Sequence, residues 1–370
     1  MKTYLHAAAV GLLPIWAASA AADTSQREIL TSQHGFLLTP VAAGLEHPWG
    51  LDFLPDGRKI VTERPGRIRL VSPEGHLSEP WANVPDIVSE FRDGLFDVSV
   101  SPDFAADSTI FFSFSRKEGD ERWLQVARAR LVDDALHDLT IIHEAEMRVE
   151  SDEGFGSRIR FDQEGHLLIT VGDHMAVEQA QDTSNTIGSI IRISRDGEAR
   201  ANAMAGHDAI VANGFKNPQG LAIHPVTGQV WATDHGGLGG DEINQIQGGG
   251  NYGWPDRTFG IDDAPRAVVT GDYVEPLFTW GVSPTVALSG LEVYTGDDFA
   301  FWQGDLFAGS LLQSALIRVM LNDDGQVAGT EYVLDGEIGR VRDVRQGPDG
   351  MLYVLNDEFE GGIFRISPTS

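Results

Sequence analysis

One pattern recurs six times along this chain and restricts its fold more than any other feature. A short apolar run enters a turn built on Pro, Asp and Gly, and a second apolar run leaves it. Residues 50–57 lead to 59–63, and residues 94–100 lead through Ser101-Pro102-Asp103 to 109–115. Residues 157–161 lead through Asp162-Gln163-Glu164-Gly165 to 166–171, and 220–223 lead through His224-Pro225 to 229–233. Residues 290–294 with 304–309 make a stretched copy, and 342–345 lead through Gly347-Pro348-Asp349-Gly350 to 351–355. Pro fixes φ in such a turn and Gly accepts φ > 0, so each copy reads as a strand pair. The copies are spaced by roughly 45 to 70 residues, the range of β-propeller blades.

Long apolar periods of 3.6 are scarce, and runs of four to six residues bounded by Gly, Pro and Asp dominate. Further strands are expected at 67–72, 123–131, 190–194, 315–321 and 362–367. A single blade leaves both its faces uncovered, so the six copies are expected to form one cooperative ring. The expected fold is therefore all-β, a six-bladed β-propeller in a single domain over residues 23–370. Residues 35–45 are β-like, precede the first copy and are expected to pair with the last strands and close the ring. In such a ring the loops at one end of the channel converge. Arg92, Asp173, Lys216, Asn217, Asp234, His235, Arg340 and Arg342 occupy equivalent places in different copies and are expected to meet there.

The 370 residues carry 27 Lys and Arg against 55 Asp and Glu, a net charge of −28. That field repels polyanions, so neither nucleic acid nor an anionic membrane surface is an expected partner. Without cysteine there is no disulfide, thiol nucleophile or thiolate metal site. Residues 1–22 read as a signal peptide: Lys2, an apolar stretch over 7–16 and a small-residue Ala18-Ser19-Ala20 cleavage site. That stretch is too short to span a bilayer, and no later run is long enough for a membrane helix. The expected location is outside the cytoplasm, secreted or periplasmic.

Residues 213–255 are the most informative run. They hold the polar cluster Lys216-Asn217-Pro218-Gln219-Gly220, two short strands, Asp234-His235, the glycine-rich loop 236–240, Asp241-Glu242 and the segment Gly249-Gly250-Asn251-Tyr252-Gly253-Trp254-Pro255. So much glycine lets the backbone approach a ligand closely.

These motifs resemble those of the soluble PQQ-dependent aldose (glucose) dehydrogenases, and the resemblance covers about residues 35–368. It implies PQQ seated over the channel with a calcium ion at its reactive carbonyl, and a histidine that takes the proton of the sugar's anomeric hydroxyl as hydride passes to the quinone. PQQ has three carboxylates, which call for cationic side chains. Asn217 matches the family's cofactor-side asparagine, and Arg340 and Arg342 match its arginine pair. Lys216 stands where the family has arginine, keeping the charge without the planar fork. Leu312 stands where a cofactor-binding lysine is expected. Gly236 and Gly237 match the pair whose carbonyls hold the catalytic calcium. Glu242 and the carbonyl of Tyr252, with Asp262 a weaker third ligand, match a structural calcium site suited to a hard cation. Arg92 takes the place of a sugar-contacting glutamine.

The histidine itself is missing: Gly154 occupies its place in Glu153-Gly154-Phe155-Gly156-Ser157-Arg158, while Asp173 matches the aspartate that would orient it. Glu153 belongs to the acidic run 150–153 and reads as solvated, His174 alternates away from Asp173, and His235 reads as loop-shaping. Two functions follow. One is a quinoprotein sugar dehydrogenase that uses PQQ and Ca2+, has Asp173 at its catalytic centre, and passes electrons to an acceptor its residues do not specify. The other is an inactive propeller that binds a sugar or anionic ligand in the former cofactor pocket.

Overall fold

The computed structural model describes residues 25–33, 35–201, 203–261 and 271–369. The signal peptide expected at 1–22 and Asp262 lie outside the described residues. Six antiparallel sheets follow one another along the chain, one for each copy of the sequence pattern. Blade 1 contains Pro48–Phe53, Lys59–Glu63 and Arg67–Val71. Blade 2 contains Leu95–Val100, Thr109–Glu118, Glu121–Val132 and Ala135–Glu144. Blade 3 contains Gly156–Phe161, Leu167–Val171, Ser189–Ile193 and Ile210–Asn213. Blade 4 contains Gly220–Ile223, Val230–Asp234, Glu242–Gln245 and Phe278–Thr279. Blade 5 contains Leu288–Val293, Leu306–Ser310, Ala315–Leu321 and Val327–Asp335.

Blade 6 joins the two ends of the chain. Val341–Gln346, Leu352–Asn356 and Gly361–Pro368 pair in order, and Gly35–Leu45 then pairs with Gly361–Pro368, with Leu38 opposite Ile366 and Leu45 opposite Gly361. The ring closure expected of residues 35–45 is thus present. A fifth strand, Arg27–Leu30, adds outside it.

The first strand of each blade lines the channel and packs on that of the next blade, and Val341–Gln346 packs on Pro48–Phe53 to complete the circle. Glycine permits this approach. A Cβ on Gly50 would lie 2.9 Å from the Cα of Asp97, and one on Gly290 would lie 2.7 Å from the Cα of Asp343. Strands behind them bury both faces, because each blade has a neighbour on either side. In Leu167–Val171, Leu167, Ile169 and Val171 join Phe111 and Val126 of blade 2, while Leu168 joins Leu221 and Ala232 of blade 4. This double burial explains why these runs are nearly all apolar rather than alternating.

Inside the channel the inner strands bring charges together. Asp97 of blade 2 accepts from Arg158 Nη1 (3.0 Å), Arg160 Nη1 (3.0 Å) and Arg345 Nη2 (2.8 Å), and from the backbone N of Ile159 (2.8 Å). Arg345 Nε also donates to Asp343 Oδ2 at 3.0 Å, and Arg158 Nη1 lies 3.0 Å from Asp343 Oδ1. Asp97, Arg158 and Asp343 are fully buried, so this network ties blades 2, 3 and 6 beneath the mouth of the channel.

Candidate functional site

At one end of the ring, the residues that begin the first strands and follow the second strands surround a cavity of about 560 Å³. Trp49, Arg64 and Arg92 come from blade 1 and its exit. Glu153 to Ser157 precede or open blade 3, and Lys216, Asn217 and Gln219 precede blade 4. His235, Gly236, Gly237 and Asp241 follow the second strand of blade 4. Leu311 and Leu312 come from blade 5, and Arg340 and Arg342 from blade 6. The structure thus brings together Arg92, Lys216, Asn217, Gly236, Gly237, Arg340 and Arg342. The lining holds five Lys or Arg side chains (Arg64, Arg92, Lys216, Arg340, Arg342) against three carboxylates (Asp152, Glu153, Asp241), a cationic patch in a strongly acidic protein.

Asp357, after the second strand of blade 6, gathers the arginine pair. It accepts from Arg340 Nη2 at 3.3 Å, from Arg342 Nη2, and lies 2.8 Å from His47 Nδ1. Burial opposes its ionisation, but the Arg342 charge and the His47 hydrogen bond outweigh it and hold the carboxyl well below its usual range. Gln219 Oε1 accepts from Arg342 Nη1 at 2.8 Å, and Arg158 Nε donates to Gln219 O at 2.9 Å. Arg342 is therefore fixed from both sides, and the Asp97 network lies directly behind its support. Its Nε is buried without a hydrogen-bond partner among the described residues.

Asp234 shapes the next sector by accepting the backbone N–H groups of Lys216 (2.9 Å) and Asn217 (2.7 Å). Burial, then the nearby Glu242 charge, raises its pKa well above the ordinary value. Asn217 Oδ1 accepts from Gly156 N at 3.0 Å, and its Nδ2 lies 3.3 Å from His235 Nδ1. An amide nitrogen has two hydrogens, so one is left for a ligand. Lys216 Nζ lies 5.7 Å from the centre of the Trp254 ring. His235 Nε2 is bonded to Leu288 O, and burial lowers the ring's pKa to about 4. As expected, this histidine shapes its loop. Asp241 does likewise: Oδ1 accepts from Gly236 N at 3.3 Å and Oδ2 from Val286 N at 2.7 Å.

Asp173 does not line the cavity. It is fully buried behind Gly154, with Oδ2 accepting from Trp254 Nε1 (2.8 Å) and Oδ1 from Met175 N (2.9 Å), and burial raises its pKa. Gly154 has φ +71°, and a Cβ there would lie 2.8 Å from Asp173 Oδ1. A side chain at 154 would therefore begin at this carboxylate, and glycine leaves only backbone between it and the cavity. His174 is buried edge-on to Phe155 (4.6 Å), and burial alone lowers its pKa to about 3. Glu153 is half exposed at the rim in an ion pair with Arg92. The carboxylate is solvent-accessible, as its place in the acidic run 150–153 implies, and it also pairs with Arg92.

Glu242 and Tyr252 lie away from the cavity lining. Glu242 opens the third strand of blade 4, and burial raises its pKa to about 7. Asn244 donates to its Oε2 at 3.1 Å, while Asn244 Oδ1 is buried without a partner among the described residues. A buried carboxylate beside an orphaned amide oxygen is the kind of donor pair a hard cation satisfies. Tyr252 is stacked on Phe215 at 4.7 Å. Among the described residues no three His, Asp or Glu side chains converge on a metal position. Reading the chain by equivalent loop positions misses Arg64, Trp254, Gln219 and Asp357. Arg64 and Asp357 each directly follow the second strand of a blade, and that shared position is the signal that would have found them.

The glucose/sorbosone dehydrogenase family profile matches residues 45–365. This chain belongs to that family. It is 36% identical over 340 residues to aldose sugar dehydrogenase YliI of Escherichia coli, covering 88% of this chain and 91% of that protein. It is 26% identical to quinoprotein glucose dehydrogenase B of Acinetobacter calcoaceticus, covering 86% and 84%. A crystal structure of a glucose dehydrogenase superposes with a TM-score of 0.84 at 37% identity, covering 90% of this chain and 99% of that one. Among the described residues no helix is long and apolar enough to cross a membrane.

Proposed function

We propose that this family member is an exported quinoprotein that oxidises an aldose at its anomeric carbon, with PQQ as cofactor and Ca2+ as metal. The observation that carries the reading is the convergence of Lys216, Arg340 and Arg342 with Asn217 on one cavity beside the Gly236–Gly237 loop. These residues fit a planar tricarboxylate: three cations face it, and Arg342 retains an unpartnered Nε. The name of the Acinetobacter relative, a quinoprotein, agrees with that choice. When bound, PQQ supplies the two-electron acceptor. The protein's part is to hold it, orient the sugar and take the hydroxyl proton.

Asp173 is the group we assign to that proton. Gly154 cannot accept it, His235 is tied to Leu288 O and His174 is buried edge-on against Phe155, while Asp173 lies behind the Gly154 backbone and so takes the proton through an intervening water rather than by direct contact. The raised pKa of Asp173 brings its basicity closer to neutral pH, where a general base works best. The Gly236–Gly237 carbonyls would hold the catalytic calcium, and Glu242 with the Tyr252 carbonyl a structural one.

The test is reconstitution with PQQ and Ca2+, followed by dye reduction with a panel of aldoses. Reduction that needs both additions, and is lost in Asp173→Asn, is the expected result. No reduction with any aldose overturns the oxidative assignment. A second reading, a binding protein without oxidation, is favoured by one feature, the glycine at 154. It predicts ligand-induced stabilisation with no turnover.

A further inference from the structure

We propose that the cavity selects acidic aldoses, and that Arg64 and Arg92 bind the sugar's carboxylate; the ligand class is a hexuronic acid with a free reducing carbon. This rests on the dehydrogenase reading for the sugar and adds the second charge. Arg64 directly follows the second strand of blade 1. Its backbone is held by N–H donation to His47 O (3.0 Å) and by acceptance from Leu95 N (3.0 Å). Its side chain lines the cavity, its Nε is buried without a hydrogen-bond partner, and it joins no ion pair among the described residues. Room for it is built in: a Cβ on Gly94 would fall 2.5 Å from Arg64 Cγ, so only glycine clears the arginine stem.

The other cations of the region are committed differently. Arg158 and Arg345 are spent on Asp97 and Asp343, and Arg340 and Arg342 share Asp357. Arg64 is therefore a cavity-lining arginine whose charge no ion pair neutralises among the described residues, which leaves it for a ligand carboxylate. Arg92 already shows the chemistry, since its guanidinium holds the Glu153 carboxylate at the rim, where the two side chains are 62% and 44% exposed. An exposed pair of this kind is weak, so an incoming carboxylate exchanges for Glu153 at little cost. Glu153 is also the neighbour of Gly154. A sugar whose acidic end lies on Arg92 therefore has its ring beside position 154. The planar guanidinium fork matches a carboxylate in two-point contact, which favours a uronic acid over a neutral aldose.

Binding is measured by calorimetry, on the protein alone and loaded with PQQ and Ca2+. The ligands are D-glucuronate, its uncharged amide, D-glucose and D-glucose 6-phosphate. We expect glucuronate to bind about 10- to 100-fold more tightly than the amide, the range of charge-assisted hydrogen bonds. Arg64→Gln and Arg92→Gln each reduce that ratio about tenfold, with circular dichroism confirming folded variants. An amide bound as well as glucuronate in both states overturns the proposal, as does a ratio that neither substitution changes. Tighter binding of the phosphate ester overturns the carboxylate assignment. Preferential glucuronate binding with no dye reduction by any aldose would defeat the oxidative reading and leave this one standing. Reduction with no preference for glucuronate would do the reverse.

Discussion

Asp97→Asn is the perturbation whose effect follows most directly from the structure. Asp97 is fully buried and receives three guanidinium contacts, from Arg158, Arg160 and Arg345, at 2.8 to 3.0 Å. The amide keeps the volume and removes the charge, leaving three arginines in the channel beside Asp343. Breaking a buried pair in this way costs about 3–5 kcal/mol. An unfolding entropy of about 2.1 cal/mol/K per residue over roughly 340 residues gives about 0.7 kcal/mol/K, so Tm should fall by about 4–7 °C. Arg130→Gln, which breaks the exposed pair with Asp138 (3.2 Å), is the control and should shift Tm by about 1 °C or less. The assay is calorimetric unfolding of both variants in one buffer. An Asp97→Asn Tm within a degree of wild type would refute the claim that this network holds blades 2, 3 and 6 together. Because Arg158 supports Gln219, and Gln219 supports Arg342, the same variant should also bind PQQ more weakly than wild type.

Three further outcomes are expected. Gly154→Ala should lower stability by about 1–3 kcal/mol, since it combines a positive φ with a Cβ 2.8 Å from Asp173 Oδ1; chemical denaturation measures it. His174 is buried with its pKa lowered to about 3, so the unfolded chain takes up a proton below about pH 6.5 while the folded chain does not. The wild type should therefore lose roughly 2–3 kcal/mol between pH 6.5 and 4.5 that His174→Phe retains, read as a flatter Tm-against-pH curve for the variant. Ca2+ at pH 8 should raise the Tm of wild type but not of Glu242→Gln. The effect should shrink as pH falls below about 7, where the buried carboxyl of Glu242 takes up a proton.

The architecture was legible because the blades repeat one local device, a strand pair joined by a turn drawn from Pro, Asp and Gly, and because double burial made the strand runs plainly apolar. The closing strand was legible because 35–45 is β-like and precedes the first copy of the repeated unit. Arg27–Leu30 was not, since its half-exposed alternation, Arg-Glu-Ile-Leu, carries little apolar signal. Of the eight loop residues expected to meet, Arg92, Lys216, Asn217, His235, Arg340 and Arg342 line the cavity, while Asp173 and Asp234 do not. What escaped was side-chain pairing: Asp357 under Arg340 and Arg342 within blade 6 and, across blades, Trp254 on Asp173 and the channel charges. Asp52, Asp97 and Glu292 interrupt largely apolar inner strands and Asp343 sits between Arg342 and Arg345 in another, and carboxylates recurring at inner-strand positions in four copies were the available signal. Which cation meets which carboxylate depends on the radial stacking of the sheets, and that is a property of the folded ring alone.

The most direct measurement is equilibrium dialysis of calcium-loaded protein against PQQ, beside Lys216→Met and Arg340→Gln. One equivalent bound, weakened about tenfold or more by each substitution and further by salt, is the result this account predicts. No saturable binding, or binding that neither substitution alters, would contradict the assignment of the cationic mouth as the cofactor's seat.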